Sequence, residues 1–97
     1  MDKKIKIYQS SSFSRKVKRL KQAEKADLDQ VIRDIINNPE IGVEKKGDLK
    51  GIFIYKFKLN KKSYLLAYRI YSENNLELIM IGPHENYYRD LKRYLES

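Results

Sequence analysis

Histidine, the side chain best suited to proton transfer at neutral pH, occurs once in this sequence, as His84. Its unperturbed pKa of about 6.5 lets an imidazole both accept and donate protons near neutrality. A lone histidine is equally typical of a structural or exposed position. Tyr87 and Tyr88 lie within one helical turn of it and extend the candidate group. The adjacent Glu85 could form an acid–base pair with His84. We favour a different role, in which its negative charge interacts with the positive N-terminal end of the helix that follows.

The composition restricts the other chemistries open to the chain. There is no cysteine, which excludes disulfides and thiolate metal sites and favours a reducing cytoplasm. One histidine without acids at ligand spacing predicts no metal site, and the scattered glycines do not form a phosphate-binding loop. We therefore expect no cofactor. No signal peptide and no apolar run of about 20 residues is found, so no membrane partner is expected either.

The positive charge is concentrated in two segments. The net charge is +8, and residues 1–22 hold eight Lys/Arg against one acid, while residues 44–69 hold eight against two. Such a distribution attracts polyanions or acidic proteins and accelerates their encounter. The alternative is a basic surface that serves only solubility.

Hydrophobic spacing in the first half predicts a strand and two helices. Ile5 and Ile7 alternate with a lysine, as in a short strand, and the serines at 10–12 offer N-caps for a basic helix over 13–21. The second helix follows a break placed near 23–25 and ends before Pro39. Its apolar stripe has the spacing of one buried helix face and consists of Leu28, Val31, Ile32, Ile35 and Ile36.

The second half predicts an antiparallel meander followed by a helix. Residues 41–50 are expected to form a loop, and strands are predicted over 52–59, 64–71 and 76–81 with short turns between them. A last helix starts near Asn86 and places Tyr88, Leu91 and Leu95 on one face. The predicted fold class is α+β, in the order β-α-α-β-β-β-α. Its antiparallel sheet carries the two N-terminal helices on one face, has a short C-terminal helix, and forms one domain over 1–97.

Two lysines on the first strand of the meander give this fold a candidate ligand. Side chains alternate along a strand, so Lys56 and Lys58 share one face while Tyr55 and Phe57 point to the other. A sheet face that carries lysines and is bordered by tyrosines suits a phosphate-rich chain with bases that can stack. The sequence therefore favours RNA as a ligand.

Four stretches of the sequence together resemble the RelE/ParE superfamily of bacterial toxins. The resemblance covers essentially the whole chain and agrees with the predicted element order, and its His-Glu-Asn ending is its most specific part. The stretches are Gly47-Asp48-Leu49-Lys50-Gly51, Tyr55-Lys56-Phe57-Lys58, Tyr64-Leu65-Leu66-Ala67-Tyr68-Arg69, and the ending Ile81-Gly82-Pro83-His84-Glu85-Asn86-Tyr87-Tyr88-Arg89-Asp90-Leu91-Lys92.

The resemblance implies a toxin of a type II toxin–antitoxin system with one of two activities. RelE-like members cut messenger RNA in the ribosomal A site without a metal, and ParE-like members inhibit DNA gyrase without cutting RNA. Both are silenced by an antitoxin, here expected to be acidic. We favour the ribosome-dependent endoribonuclease, with gyrase inhibition as the alternative. A basic module that only binds RNA is a third possibility.

The resemblance also implies roles for individual residues. His84 is the expected acid or base, Lys56 and Lys58 stabilise phosphate charge, and Tyr87 or Tyr88 stacks on a base or assists proton transfer. The expected RNA-binding residues are Lys50, Lys56, Lys58, Arg69 and Arg89. One position departs from the family pattern, because Leu65 follows Tyr64 where the family often has a phosphate-binding arginine. Arg69 lies roughly 13 Å further along an ideal strand, too far to replace it simply.

Overall fold

A five-stranded sheet with helices on both faces forms the structure, a computed structural model that describes residues 5–96. Along that part of the chain the strands are β1 (Lys6–Gln9), β2 (Val43–Glu44), β3 (Ile52–Leu59), β4 (Lys62–Ser72) and β5 (Asn75–Pro83). The helices are α1 (Ser11–Lys18), α2 (Gln22–Asn37) and α3 (Tyr87–Glu96), with a single 3₁₀ turn at Gly47–Leu49. The predicted α+β order is confirmed, and β2 is added to it.

The sheet is mixed, where the sequence predicted an antiparallel one. Its strand order is β1-β5-β4-β3-β2, and β1 pairs with β5 in parallel while the other neighbours are antiparallel. Asn60 and Lys61 both have positive φ angles, 49° and 68°, which are the angles of the two-residue turn that best fits the twist of a hairpin. The β2 strand lies within the predicted loop 41–50. It pairs with Phe53 and Ile54 of β3, a contact that local spacing does not reveal.

Side-chain caps decide where the first two helices begin. The Ser10 hydroxyl accepts a hydrogen bond from the Phe13 N–H (3.0 Å) and donates one to the Ile79 carbonyl, so the start of α1 is tied to β5. The Glu24 carboxylate accepts the Lys21 N–H (2.8 Å), which satisfies a donor at the start of α2. The break between the helices therefore lies before Gln22, earlier than the predicted break at 23–25.

The sheet has an apolar cluster on each face. The first packs α1 and α2 against the sheet, as predicted, and includes Phe13, Leu28, Ile35, Phe57, Leu66, Tyr68 and Leu78. The second lies on the opposite face beneath α3 and includes Leu49, Ile52, Ile54, Leu65, Ala67, Ile79, Tyr87 and Leu91. In α3 the buried residues are Tyr87 and Leu91, while the predicted face residue Tyr88 is half-buried. We call the face that carries α3 the α3 face.

Candidate functional site

His84 and Lys58 lie in one row across three strands. Lys58 pairs with Ser63 in the β3–β4 register, and the His84 N–H donates to the Ser63 carbonyl oxygen at 3.4 Å. Adjacent strands lie about 4.8 Å apart, so the backbones of Lys58 and His84 are roughly 10 Å apart. Both side chains are exposed. Side chains that extend toward each other over this distance can contact one phosphate group between them.

Lys56 lies in the next row of the same face. It pairs with Leu65, which pairs with Gly82 of β5. Lys56 is exposed, whereas Leu65 is only 3% exposed. The α3 cluster therefore stops at this row, and the two lysines project beyond the helix that covers the rest of the face. Lys56 and Lys58 share one face, as the side-chain alternation predicted, although α3 packs against the neighbouring part of that face.

Lys58 also faces the edge of the sheet. Within residues 5–96, β2 reaches only Phe53 and Ile54, so the second half of β3 forms an edge of the described sheet. There Lys58 lines a shallow depression of about 590 Å³ together with Asp27 and Gln30 of α2. An ammonium at this position can approach a ligand from the α3 face or from the edge.

Tyr87 has a packing role, so we remove it from the candidate catalytic set. Its side chain is 3% exposed and its hydroxyl donates to the Met80 carbonyl oxygen at 2.6 Å. Its ring lies over Gly82, where an added Cβ atom would be 3.5 Å away. Burial raises the pKa of the Tyr87 phenol far above its usual value, so the hydroxyl stays protonated near neutral pH and cannot serve as a base.

Tyr88 is the tyrosine that remains accessible at this site. It is half-buried and meets the Tyr87 ring edge-on, with ring centroids 5.8 Å apart. The Lys45 ammonium lies 5.3 Å from the Tyr88 ring centroid, in the range of a cation–π contact. Of the two predicted tyrosines, Tyr88 is therefore the one that can meet a base.

The remaining predicted RNA-binding residues are spread over the molecule. Lys50 is exposed at the end of the 3₁₀ turn, and Arg89 is exposed on α3 with its guanidinium 3.4 Å from Asp90. Arg69 pairs with Ile52 in the β3–β4 register. That position is six residues from Lys58, or roughly 20 Å along the strand. The structure does not bring Arg69 to the row of Lys58 and His84.

Comparison with known proteins identifies the family of this chain. The profile of the family described as ParE-like toxin of type II bacterial toxin–antitoxin system matches residues 7–92. The chain belongs to this family. Its members are toxins of type II toxin–antitoxin systems. No curated protein matches the sequence.

Solved structures of E. coli RelE show the same fold as this ParE-like toxin. The intact RelBE toxin–antitoxin complex is 19% identical over 81% of this chain and 95% of that chain, with a TM-score of 0.65. The isolated RelE toxin is 20% identical over 90% and 95%, with a TM-score of 0.60. A double mutant of RelE in the free state is 17% identical over 91% and 90%, with a TM-score of 0.68.

In this ParE-like toxin, Leu65 stands where the sequence resemblance to the RelE/ParE superfamily implies an arginine. Leu65 is buried in the α3 cluster with Tyr87 and Leu91. Arg69 does not compensate, because it interacts at the other end of β4. Its guanidinium lies 3.9 Å from the Glu77 carboxylate, and Tyr71 accepts a hydrogen bond from it at 3.2 Å. In the rows of Lys56 and Lys58, cationic charge therefore comes from the two lysines.

A cleft beside His84 was only partly anticipated from the sequence. It has a volume of about 500 Å³ and lies between α1, the end of β5 and the start of α3. Arg15, Lys16 and Arg19 line one wall, and Glu85 and Asp90 line another. The basic α1 helix was predicted from the sequence. Its position across the cleft from two acids was not, because that position depends on how α3 packs. The mixed charge of this cleft suits a phosphate chain less well than the lysine rows.

In residues 5–96 no group of three His, Cys, Asp or Glu side chains is arranged to hold a metal ion. Across the same residues, none of the helices is long and apolar enough to cross a membrane.

Proposed function

We propose that this ParE-like toxin is a cytoplasmic endoribonuclease that cuts messenger RNA on the ribosome and needs no metal ion. One observation carries the proposal. Lys56, Lys58 and His84 occupy adjacent rows on an uncovered part of the α3 face. This combines two cations with a group that can transfer protons near neutral pH.

RNA cleavage at this row requires three events on the substrate. The ribose 2′-hydroxyl loses its proton and its oxygen attacks the adjacent phosphorus. Negative charge builds up on the phosphate oxygens, where the Lys56 and Lys58 ammonium groups stabilise it. The bond to the 5′-oxygen then breaks and that oxygen takes up a proton. His84 serves as the base in the first event or as the acid in the last.

Gyrase inhibition is a second candidate, and the buried Leu65 favours it. A nuclease without an arginine at this position has one fewer cation for the phosphate. Loss of one such group costs about 2.7–4 kcal/mol of transition-state stabilisation. A gyrase inhibitor has no such requirement, and the family profile that matches this chain carries the ParE name.

The two functions predict different first effects in cells. The toxin is induced without its antitoxin while protein and DNA synthesis are pulse-labelled together. The nuclease predicts that protein synthesis stops first. If DNA synthesis stops first, with cleaved gyrase–DNA complexes, the nuclease proposal is wrong and gyrase inhibition replaces it. Co-expression of the acidic antitoxin should abolish either effect.

A further inference from the structure

The segment between β2 and β3 carries lysines outside the row of Lys58 and His84. Two adjoining depressions of about 290 and 390 Å³ lie here, and Lys45 and Lys46 line both. Tyr88, Lys92 and Asp48 also line the first depression, and Lys50 lines the second. We call Lys45, Lys46 and Lys50 the loop lysine patch.

Contacts with the rest of the fold hold this segment in place. The Lys45 N–H donates to the Ile52 carbonyl oxygen at 2.9 Å, and the Lys45 ammonium lies over the Tyr88 ring. On α3, the Lys92 ammonium lies 3.9 Å from the Asp48 carboxylate. These contacts constrain the backbone around Lys45, which should reduce the conformational entropy that the segment loses when a ligand binds there.

The patch continues the basic surface of the candidate site along β3. The Lys45 N–H is hydrogen-bonded to the carbonyl oxygen of Ile52. Ile52 precedes Lys56 by four residues, or about 13 Å along the strand. Tyr88 lies between the patch and the Lys56 row, because its ring contacts both Lys45 and Tyr87. Tyr87 in turn packs over Gly82, which belongs to the Lys56 row. A chain of phosphates that crosses the Lys56 row can therefore continue onto the patch.

The charge of the patch indicates what binds there. Four lysines line the two depressions together with the acids Glu44 and Asp48, and Asp48 is already engaged by Lys92. The cleft between α1, the end of β5 and the start of α3, by contrast, is lined by three cations and two acids. Lysine ammonium groups act as point charges that attract phosphate without requiring a particular base sequence.

We infer that Lys45 and Lys46, together with Lys50, bind the backbone phosphates of single-stranded RNA on one side of the scissile phosphate. The inference deepens the proposed nuclease function and rests on it for the path of the strand. The patch supplies affinity and position, while Lys56, Lys58 and His84 act on the scissile phosphate.

The test is a binding measurement that does not require cleavage. A fluorescent twelve-nucleotide 2′-O-methyl oligouridylate has no free 2′-hydroxyl to attack, and its affinity is measured by anisotropy from 0.1 to 1 M KCl. Each phosphate contact on a single strand contributes about −0.7 to the slope of log K against log salt. The double variant Lys45→Gln/Lys46→Gln should therefore lose about 1.4 from that slope, or about 25-fold in affinity at 0.1 M if affinities converge at 1 M.

A matched control separates the patch from net charge. Lys18→Gln/Lys25→Gln removes two exposed lysines from α1 and α2 and should leave the slope unchanged. Lys46→Gln/Lys50→Gln keeps the Lys45–Tyr88 contact and should reproduce the loss, which guards against a local folding defect. Equal slopes for the patch and control variants overturn the inference. The inference is also overturned if the patch variants keep the RNA slope of the wild type but bind the antitoxin more weakly. That result would assign the patch to the acidic antitoxin.

The binding result and the nuclease proposal can fail separately. If pulse-labelling identifies gyrase inhibition while the patch variants still lose salt dependence, the patch binds nucleic acid but the proposed reaction is wrong. If protein synthesis stops first and the slope does not change, the nuclease proposal stands and the patch assignment is wrong.

Discussion

The backbone N–H of His84 donates to the carbonyl oxygen of Ser63, and this 3.4 Å hydrogen bond extends the β4–β5 pairing by one residue. The bond fixes the histidine opposite the position that pairs with Lys58. A residue just past a strand is otherwise free to turn away. Here it stays in register with the lysine strand, and the candidate site depends on that register.

Removal of the exposed lysines should separate activity from stability. Because Lys56 and Lys58 are exposed, Lys56→Ala and Lys58→Ala should each change the free energy of unfolding by less than about 0.5 kcal/mol. Each should slow message cleavage about 10²- to 10³-fold, since the phosphate loses a cation. Urea unfolding and cleavage by the purified toxin on translating ribosomes measure the two effects. A variant with full cleavage activity would exclude that lysine from the reaction.

Some of this architecture could be read from local spacing. The strand over 52–59 is found with the predicted bounds, because it is a run of mostly apolar and aromatic residues that a tight turn ends. The buried stripe of α2 is likewise where the 3.6-residue period places it, with Leu28, Val31 and Ile35 buried. The shared face of Lys56 and Lys58 was predicted from the alternation of side chains along a strand.

Other features depend on contacts between distant parts of the chain. The two-residue strand β2 exists only through its pairing with Phe53 and Ile54, and two residues carry no periodic signal. Tyr87, and not Tyr88, is the buried tyrosine because α3 packs with the Tyr87 ring over Gly82. Lys50 of the loop lysine patch was among the predicted RNA-binding residues, but Lys45 and Lys46 were not. Lys45 contacts Tyr88, which is more than 40 residues away in the sequence, so local spacing does not connect the two.

An arginine at position 65 should destabilise the fold. Leu65 is 3% exposed beneath Tyr87 and Leu91, so Leu65→Arg places an unpaired charge in an apolar cluster. We expect a loss of about 3–5 kcal/mol in unfolding free energy. The control Leu65→Met should cost less than about 1.5 kcal/mol. Equal stability of the arginine variant and the wild type in urea would show that position 65 can open to solvent.

Tyr87→Phe should give a stability difference that depends on pH. At pH 7 the variant should be about 1–3 kcal/mol less stable, because the Met80 carbonyl loses its donor. Burial raises the pKa of Tyr87 in the folded state. Above about pH 10 the unfolded wild type therefore releases a proton that the folded state retains, and wild-type stability falls by about 1.4 kcal/mol per pH unit. The difference between the two proteins should then shrink, as urea unfolding from pH 7 to 11 would show, and a constant difference would contradict it.

Gly42 and Tyr68 should be energetically coupled. The Tyr68 hydroxyl accepts the Gly42 N–H at 2.9 Å and donates to the Pro39 carbonyl oxygen at 2.7 Å, which anchors the chain that leads to β2. A Cβ at position 42 would lie 2.7 Å from that hydroxyl, so Gly42→Ala should cost about 1–3 kcal/mol. In a Tyr68→Phe background the penalty should be smaller, because the clashing oxygen is gone. A double-mutant cycle in urea tests this, and strict additivity would refute the coupling.

Primer extension on messages from cells that express the toxin without its antitoxin tests the central claim most directly. Wild-type toxin should produce cuts at defined codon positions. His84→Ala should reduce them about 10²- to 10⁴-fold, Lys56→Ala/Lys58→Ala should abolish them, and the control Lys18→Ala/Lys25→Ala should retain them. If wild type makes no cuts while growth stops, or if cuts persist in both site variants, the shared row of His84 and the two lysines is not a cleavage site.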